Sequence, residues 1–183
     1  LREGNAVFLR SFTLPPGQYS LETAAMDQGS RRKSVDRCPV EVPEGPPALG
    51  LSSLAVIKRV EPVAPGALES EDPFRLGGTR IVPYVGEAEI AAGAPLNLFL
   101  VAYPGPGLAA KPELVIEFLR DGRVVARSTP ELPAPDGQGR IPFVASIRPT
   151  GLGPGLYQVR ALLRQGSLTA DESTALRVDP PRP

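Results

Sequence analysis

Leu-Gly-Pro-Gly-Leu-Tyr at residues 152–157 and Leu-Pro-Pro-Gly-Gln-Tyr at residues 14–19 are two versions of one turn. In each, the proline restricts the turn backbone, the glycine permits a positive φ, and the tyrosine opens the strand that follows. We expect each tyrosine ring to lie in a core and each hydroxyl to bond back across the corner. The structural turn residues predicted in this way are Pro16, Gly17, Tyr19, Pro154, Gly155 and Tyr157.

Alternation of apolar and polar residues surrounds both turns and predicts strands. After the second turn, Tyr157, Val159, Ala161 and Leu163 share one face. After the first turn, the same phase runs through Tyr19, Leu21, Thr23 and Ala25. Alternating runs also precede and follow each of these strands, around Ala6/Phe8/Phe12 and Val40/Val42 in the first copy and Ile141–Ile147 and Leu176/Val178 in the second.

The second copy carries further strand signals upstream. The run Leu96–Tyr103 is apolar on both faces, as expected of a covered strand, and Leu114–Leu119 and Arg123–Arg127 are joined by Asp121-Gly122, a strong hairpin signal. With Thr79–Val85, about seven strands are predicted, and no stretch shows a helical stripe with caps.

The sequence therefore predicts three segments: the last three strands of a β unit at 1–45, a Pro/Gly-rich linker with one strand at 46–78, and a complete β-sandwich at 79–183. The strand within the linker, at Leu49–Val60, is expected to pair with one of the two units.

The two Pro-Gly-x-Tyr turns resemble the turn before the F strand of immunoglobulin-like and fibronectin type III domains, where a tyrosine corner recurs. The resemblance covers thirty to forty residues of each copy, and the Cys and Trp hallmarks of antibody-type domains are absent. It implies an all-β fold, an immunoglobulin-like β-sandwich plus a partial second β unit of related strand pattern.

A broader resemblance follows from Ser52-Ser53-Leu54, Asp72-Pro73-Phe74-Arg75, Arg120-Asp121-Gly122 and Gly139-Arg140-Ile141-Pro142, read in order with the two turns. Together they look like the C-terminal region of large exported bacterial proteins of uncharacterised function, including acidobacterial ones with a von Willebrand factor type A domain upstream. This implies a periplasmic, cell-surface or extracellular location, and it supplies no catalytic residues. The chain also looks cut from a longer protein, with its signal peptide elsewhere.

Composition argues against several functions. The chain has 183 residues, 20 basic and 20 acidic side chains and no His. A nucleic-acid binder is expected to carry a basic surplus, and a chain without His lacks the commonest general base and zinc ligand. Cys38, the only cysteine, is expected to be a buried structural residue and not a nucleophile. No apolar stretch is long enough for a membrane span.

Carboxylates and aromatic residues are the remaining candidates for chemistry or binding. Acidic groups at Glu69/Glu71/Asp72, Glu87/Glu89 and Asp171/Glu172 are interpreted as solvated loop charge, and Asp136–Gly139 lacks the alternating acidic ligands of a calcium loop. We therefore expect no catalytic, metal or cofactor residues. Tyr84, Tyr103 and Phe99 are the candidates for an alternative function, a carbohydrate-binding accessory domain, if they gather on one sheet face.

The expected function is a non-catalytic structural or protein-interaction module. Three strands with Phe8, Phe12, Tyr19 and Leu21 on one face do not bury that face alone. The partial unit is therefore expected to borrow its missing layer from the Leu49–Val60 run, from the second domain or from another copy of the chain. The predicted partner is a protein or another copy of the chain, bound through an open sheet edge, and no nucleic acid or membrane insertion is expected.

Overall fold

The computed structural model describes residues 12–42, 44, 48–63, 72–105 and 107–180. In these residues the backbone forms strands, turns and loops, with no helix, which confirms the predicted all-β class. The chain divides into two compact units: Arg10–Pro47, called here the hairpin unit, and a larger unit that includes Ala48–Pro183.

The hairpin unit consists of two antiparallel strands, β1 (Gly17–Met26) and β2 (Lys33–Val42). Their pairing is unbroken from Gly17 opposite Val42 to Met26 opposite Lys33. In the connecting turn, the Asp27 carboxylate accepts the amide N–H groups of Ser30 and Gly29, which lowers the pKa of Asp27. The strand predicted around Ala6 and Phe8 falls mostly outside the described residues.

The larger unit contains eleven strands in its described residues. They are β3 (Gly50–Leu51), β4 (Ala55–Pro62), β5 (Arg75–Leu76), β6 (Thr79–Pro83), β7 (Ala88–Ala91), β8 (Leu96–Tyr103), β9 (Glu113–Arg120), β10 (Arg123–Ser128), β11 (Ile141–Ile147), β12 (Gly155–Gln165) and β13 (Leu168–Asp179).

These strands form two sheets. The five-stranded sheet has the order β10-β9-β12-β13-β7, and the six-stranded sheet has the order β11-β8-β4-β6-β5 with β3 beside β8. Among the paired strands, β13 and β7 are parallel and the others are antiparallel. Inward residues of both sheets join in one buried cluster, so the larger unit is the predicted β-sandwich.

Alternation along the strands places the core between the sheets. In β12, Tyr157, Val159, Ala161 and Leu163 are buried, as the period-two pattern predicts. The opposite sheet contributes Leu96, Leu98, Leu100 and Ala102 from β8. Asp121 and Gly122, both at positive φ, form the predicted tight turn between β9 and β10.

Strand β8 is also covered on its outer face, as its continuous apolar sequence predicts. Phe99 packs there with Ile57 and Ile81 in a second buried cluster. The ring of Phe74 lies 5.9 Å from the ring of Phe99, centroid to centroid. The β5–β6 hairpin, at the edge of the six-stranded sheet, thus contributes Leu76 and Ile81 to this second cluster.

The segment predicted as a linker belongs in large part to the sandwich. Residues 48–63 lie in the larger unit, where β4 pairs with β8 on one side and β6 on the other. Leu49, Leu54 and Val56 are buried in the main core. The larger unit therefore includes residues from Ala48 onward and does not begin at 79.

Candidate functional site

The Tyr157 corner begins β12 in the larger unit. The Tyr157 hydroxyl donates a hydrogen bond of 2.8 Å to the carbonyl oxygen of Gly153. Gly155 has a φ of 150°, a conformation that favours glycine, and the ring of Tyr157 is 6% exposed. The Arg120 guanidinium carbon lies 5.7 Å from the ring centroid. The corner fixes the entry of β12 into the core.

The Tyr19 corner has the same geometry at the start of β1. The Tyr19 hydroxyl donates a 2.8 Å hydrogen bond to the carbonyl oxygen of Pro15, and Gly17 has a φ of 155°. Pro16 directly precedes this glycine, as Pro154 precedes Gly155. The structure thus places all six predicted turn residues in two corners of the same design, but the Tyr19 ring is only half-buried, so the expectation that it lies in a core is wrong.

The hairpins that follow these corners share one register. In the hairpin unit, Gly17 lies opposite Val42 and Tyr19 opposite Val40. In the larger unit, Gly155 lies opposite Val178 and Tyr157 opposite Leu176. Positions along β1–β2 can therefore be matched one by one to positions along β12–β13.

The two hairpins differ in what covers them. Val159 and Leu163 of β12 are fully buried beneath the opposite sheet, whereas Leu21 of β1 is 43% exposed. A groove of about 650 Å³ lies on this side of the hairpin unit. We call this surface the apolar face; it is lined by Phe12, Thr13, Leu14, Tyr19, Ser20, Leu21, Val40 and Val42.

Cys38 lies on the same side of β2, opposite Leu21. It is an exposed free thiol, so the expectation of a buried cysteine is wrong. Burial of a strand position depends on a covering layer, and within the described residues the hairpin unit is a two-stranded sheet without one.

The opposite side of the hairpin is mixed, with charged residues beside the exposed hydrophobics Met26 and Val35. Glu22 and Arg37 face each other across the two strands, with Arg37 Nε 2.9 Å from Glu22 Oε1. Lys33 and Glu41 also belong to this side. The apolar residues near the Tyr19 corner line a groove, so the apolar face is the part of the hairpin unit with most reason to be covered.

The edges of the hairpin unit are unequal. Within the described part of the chain, β1 and β2 pair only with each other. Pro39 lies in the middle of β2, opposite Ser20, and has no amide hydrogen. Proline in a strand is confined to positions where its nitrogen faces the open edge. The outer edge of β2 is thus a poor template for strand addition, and the outer edge of β1, which contains no proline, is a good one.

A buried carboxylate marks the corresponding edge in the larger unit. Glu117 of β9, 4% exposed in its side chain, lies opposite Arg160 of β12 and opposite Arg127 of β10. Arg160 Nε binds Glu117 Oε2 at 3.0 Å, and Arg127 Nη2 binds Oε1 at 2.7 Å. Hydrogen bonds from Arg160 and then Arg127 lower the pKa of Glu117 below its ordinary value, against the opposing effect of burial.

Sequence reasoning missed this cluster. A single Glu inside the apolar run Leu-Val-Ile-Glu-Phe-Leu at 114–119 was the available signal. An acidic residue within a covered strand requires a cationic partner.

Glu87 and Asp72 of the predicted acidic groups have local partners, whereas Asp171 and Glu172 lie in β13, so their interpretation as loop charge is wrong. Glu87 binds Arg177, and Asp72 accepts the amide N–H of Phe74 and pairs with Arg80. Asp136 accepts the amide N–H groups of Arg140 and Gln138, which lowers its pKa. Glu69 and Glu71 lie outside the described residues. In the part of the chain that is described, no group of three His, Cys, Asp or Glu residues could hold a metal ion.

The three aromatic candidates for sugar binding do not form a platform. Phe99 is buried in the second cluster beneath Phe74. The Tyr84 ring is approached by the Lys58 ammonium at 5.7 Å, and its hydroxyl bonds the carbonyl oxygen of Glu89. Tyr103, at the end of β8, is the exposed member of the three.

Comparisons with known proteins identify no family for this chain. No protein-family model matches the chain, and no curated protein matches it. Among solved structures, the chain is similar to an engineered protein solved at 1.98 Å resolution, at 22% identity and a TM-score of 0.35. The match covers 52% of this chain and 18% of the engineered chain. Across the described ranges, no helix has the length and apolar character needed to cross a membrane.

The two corners differ in exposure, which allows a paired prediction. Tyr157→Phe should lower the free energy of unfolding of the larger unit by about 0.5–1.5 kcal/mol, because the Gly153 carbonyl loses its partner near the core. Tyr19→Phe should leave that transition unchanged, because Tyr19 belongs to the hairpin unit. Urea unfolding followed by far-ultraviolet circular dichroism measures both. Equal shifts for the two variants would contradict the separate roles of the corners.

Proposed function

We propose that this chain is a non-catalytic structural and protein-interaction module of a larger exported bacterial protein. The larger unit acts as a rigid support, and the hairpin unit binds a protein through its apolar face. The observation that carries the proposal is the contrast between two hairpins of one register, one buried and one exposed. A surface of this kind on a folded chain marks an interaction site.

The strand order supports an immunoglobulin-like assignment for the larger unit. The β9-β12-β13 core of the five-stranded sheet corresponds to the C, F and G strands of such domains, with β10 added beside C. The Tyr157 corner lies at the start of the strand in the F position. Modules of this type commonly serve as spacers and binding surfaces in cell-surface proteins, in keeping with the resemblance to exported bacterial proteins.

The chemistry of the side chains supports a non-catalytic role. The sequence contains no His. The carboxylates with lowered pKa, Asp27, Glu117 and Asp136, are held ionised by backbone amides or arginines, and a general acid at neutral pH needs the opposite shift.

The proposal predicts that the apolar face binds apolar probes. The full chain should enhance the fluorescence of 1-anilinonaphthalene-8-sulfonate, and Leu21→Lys should remove most of the enhancement. Val125→Lys, an exposed apolar residue of β10 in the larger unit, is the matched control and should keep it. Light scattering on the same samples reports whether a second copy competes for the face. Equal enhancement by the native chain and the Leu21→Lys variant would refute the proposed docking surface.

A further inference from the structure

In the larger unit, the β12–β13 hairpin has the same register as β1–β2 and has a further strand, β9, paired beside it. Strand β9 pairs antiparallel with the outer edge of β12, from Gln158 opposite Leu119 to Arg164 opposite Glu113. Within that pairing, Arg160 lies opposite Glu117. The carboxylate is bound from both sides, because β10 supplies Arg127 on the far side. On the polar side of this sheet, one carboxylate between two arginines therefore links β10, β9 and β12.

The shared register identifies the matching position in the hairpin unit. Arg160 lies three residues after Tyr157, and the residue three after Tyr19 is Glu22. The charge at this position is therefore reversed between the two hairpins. Glu22 is bound on one side by Arg37 of β2, in the way that Glu117 is bound by each of its arginines. Its other side is the outer edge of β1, and its side chain is 53% exposed.

This reversal determines which strand fits beside β1. A strand with a carboxylate opposite Glu22 brings two like charges together, which is destabilising in a sheet, whereas a cation there completes an arrangement like that of Glu117. The same strand must be apolar on the side of Tyr19 and Leu21, because that side of the hairpin is the apolar face.

We propose that the outer edge of β1 binds an antiparallel β-strand from a protein partner. That strand carries Arg or Lys opposite Glu22 and apolar residues on the side of the apolar face. The proposal rests on the proposed function and names the partner's chemistry. Main-chain hydrogen bonds along β1 supply the pairing, and side chains select the sequence. Pro39 directs the strand to β1 by removing a donor from the edge of β2.

The reversal also has a consequence for copies of the chain. Because the two hairpins share a register, β1 of one copy could otherwise replace β12 against β9 of another. Glu22 would then face Glu117. Repulsion between these carboxylates, one of them buried, disfavours the exchange.

Two peptides test the proposal on the full chain. The first is Lys111–Asp121 of this chain, which contains the β9 sequence, and the second is the same peptide with Glu117→Arg. Each carries a fluorophore, and its anisotropy is measured against the native chain. The Glu117→Arg peptide should bind roughly 3- to 30-fold more tightly, the range that a cross-strand pair changed from repulsive to attractive provides. The chain has a formal net charge of zero, so general attraction between unlike charges does not account for a preference.

A charge-swapped chain supplies the matched control. Glu22→Arg combined with Arg37→Glu keeps the net charge and the cross-strand pair but reverses the charge opposite the added strand. This variant should prefer the unmodified peptide. If it does not fold, the single variant Glu22→Gln should bind the two peptides with nearly equal affinity. Leu21→Lys should weaken both peptides.

Three results would overturn the proposal. One is equal binding of the two peptides to the native chain, and another is a preference that Glu22→Gln leaves unchanged. The third is absence of binding with slow hydrogen exchange at the outward amides of β1, which would mean that the free chain already covers that edge. The dye assay separates these failures from failure of the docking surface: a dye signal sensitive to Leu21→Lys keeps the surface while the strand proposal falls.

Discussion

Phe118→Ala is expected to lower the free energy of unfolding of the larger unit by about 3–5 kcal/mol, the usual cost of emptying a large core site. Phe118 lies in β9, paired with Ala126 of β10 and Val159 of β12, and its side chain is 1% exposed. Part of the loss is the burial of the ring in the core, which the alanine no longer provides. The rest is the cost of the cavity left behind, which stays open because β9 is hydrogen-bonded to β10 on one side and to β12 on the other. This is a large part of the stability of a typical domain.

Denaturant unfolding of the full chain, followed by circular dichroism, measures this change. Val125→Ala is the control, because Val125 in the neighbouring strand is half exposed and its truncation should change stability by less than about 0.5 kcal/mol. A loss of about 1 kcal/mol or less for Phe118→Ala would mean that the two sheets repack freely, which a close-packed core does not allow.

Glu117→Gln should be the most destabilising single change among the charged residues of the larger unit, at about 1–3 kcal/mol. A glutamine keeps the shape, but its amide nitrogen is a donor and must face one of the two arginines, which are also donors. The cost stays below that of a fully buried pair because the Arg127 side chain is 60% exposed and can bind water instead. Glu113→Gln, an exposed change on the same strand, is the control.

The destabilisation caused by Glu117→Gln should depend on pH in a definite direction. The pKa of Glu117 is lower in the folded chain than its ordinary value of 4.5. Stabilisation by the ionised form is therefore complete above that ordinary value and is lost as pH falls through the lower, folded pKa. The gap in unfolding free energy between the native chain and Glu117→Gln should be full at pH 7 and should shrink on acidification below about 4.5. A constant gap between pH 7 and pH 3 would contradict this role.

Local sequence signals predicted the elements whose contacts are close in the chain. Asp121-Gly122 predicted the β9–β10 hairpin because the turn needs two residues at positive φ. The eight residues of β8 matched an apolar run, and β12 matched a strict alternation. The geometry of both corners is also local, since each tyrosine bonds a carbonyl four residues before it.

Pairings between distant residues were beyond these signals. Strand β7, Ala88–Ala91, forms because it pairs parallel with Leu176–Asp179 of β13, which is distant in the sequence. Strand β4 is inserted between β8 and β6, which moves the boundary of the larger unit from 79 to Ala48. Parallel pairing and sheet insertion leave no short-range pattern, because the partner strand supplies the hydrogen bonds.

The sequence by itself determined the all-β class, the two Pro-Gly-x-Tyr corners and the side of each following strand that is apolar, because turn chemistry and period-two alternation are properties of neighbouring residues. Only the tertiary structure decided which apolar side is covered. Tyr157 and Tyr19 open hairpins of one register, yet the first lies beneath a second sheet and the second borders a groove. The register also shows that Arg160 and Glu22 occupy matching positions with opposite charge. The effect of that reversal depends on the neighbouring strand, because the residue opposite determines whether the charge is attracted or repelled.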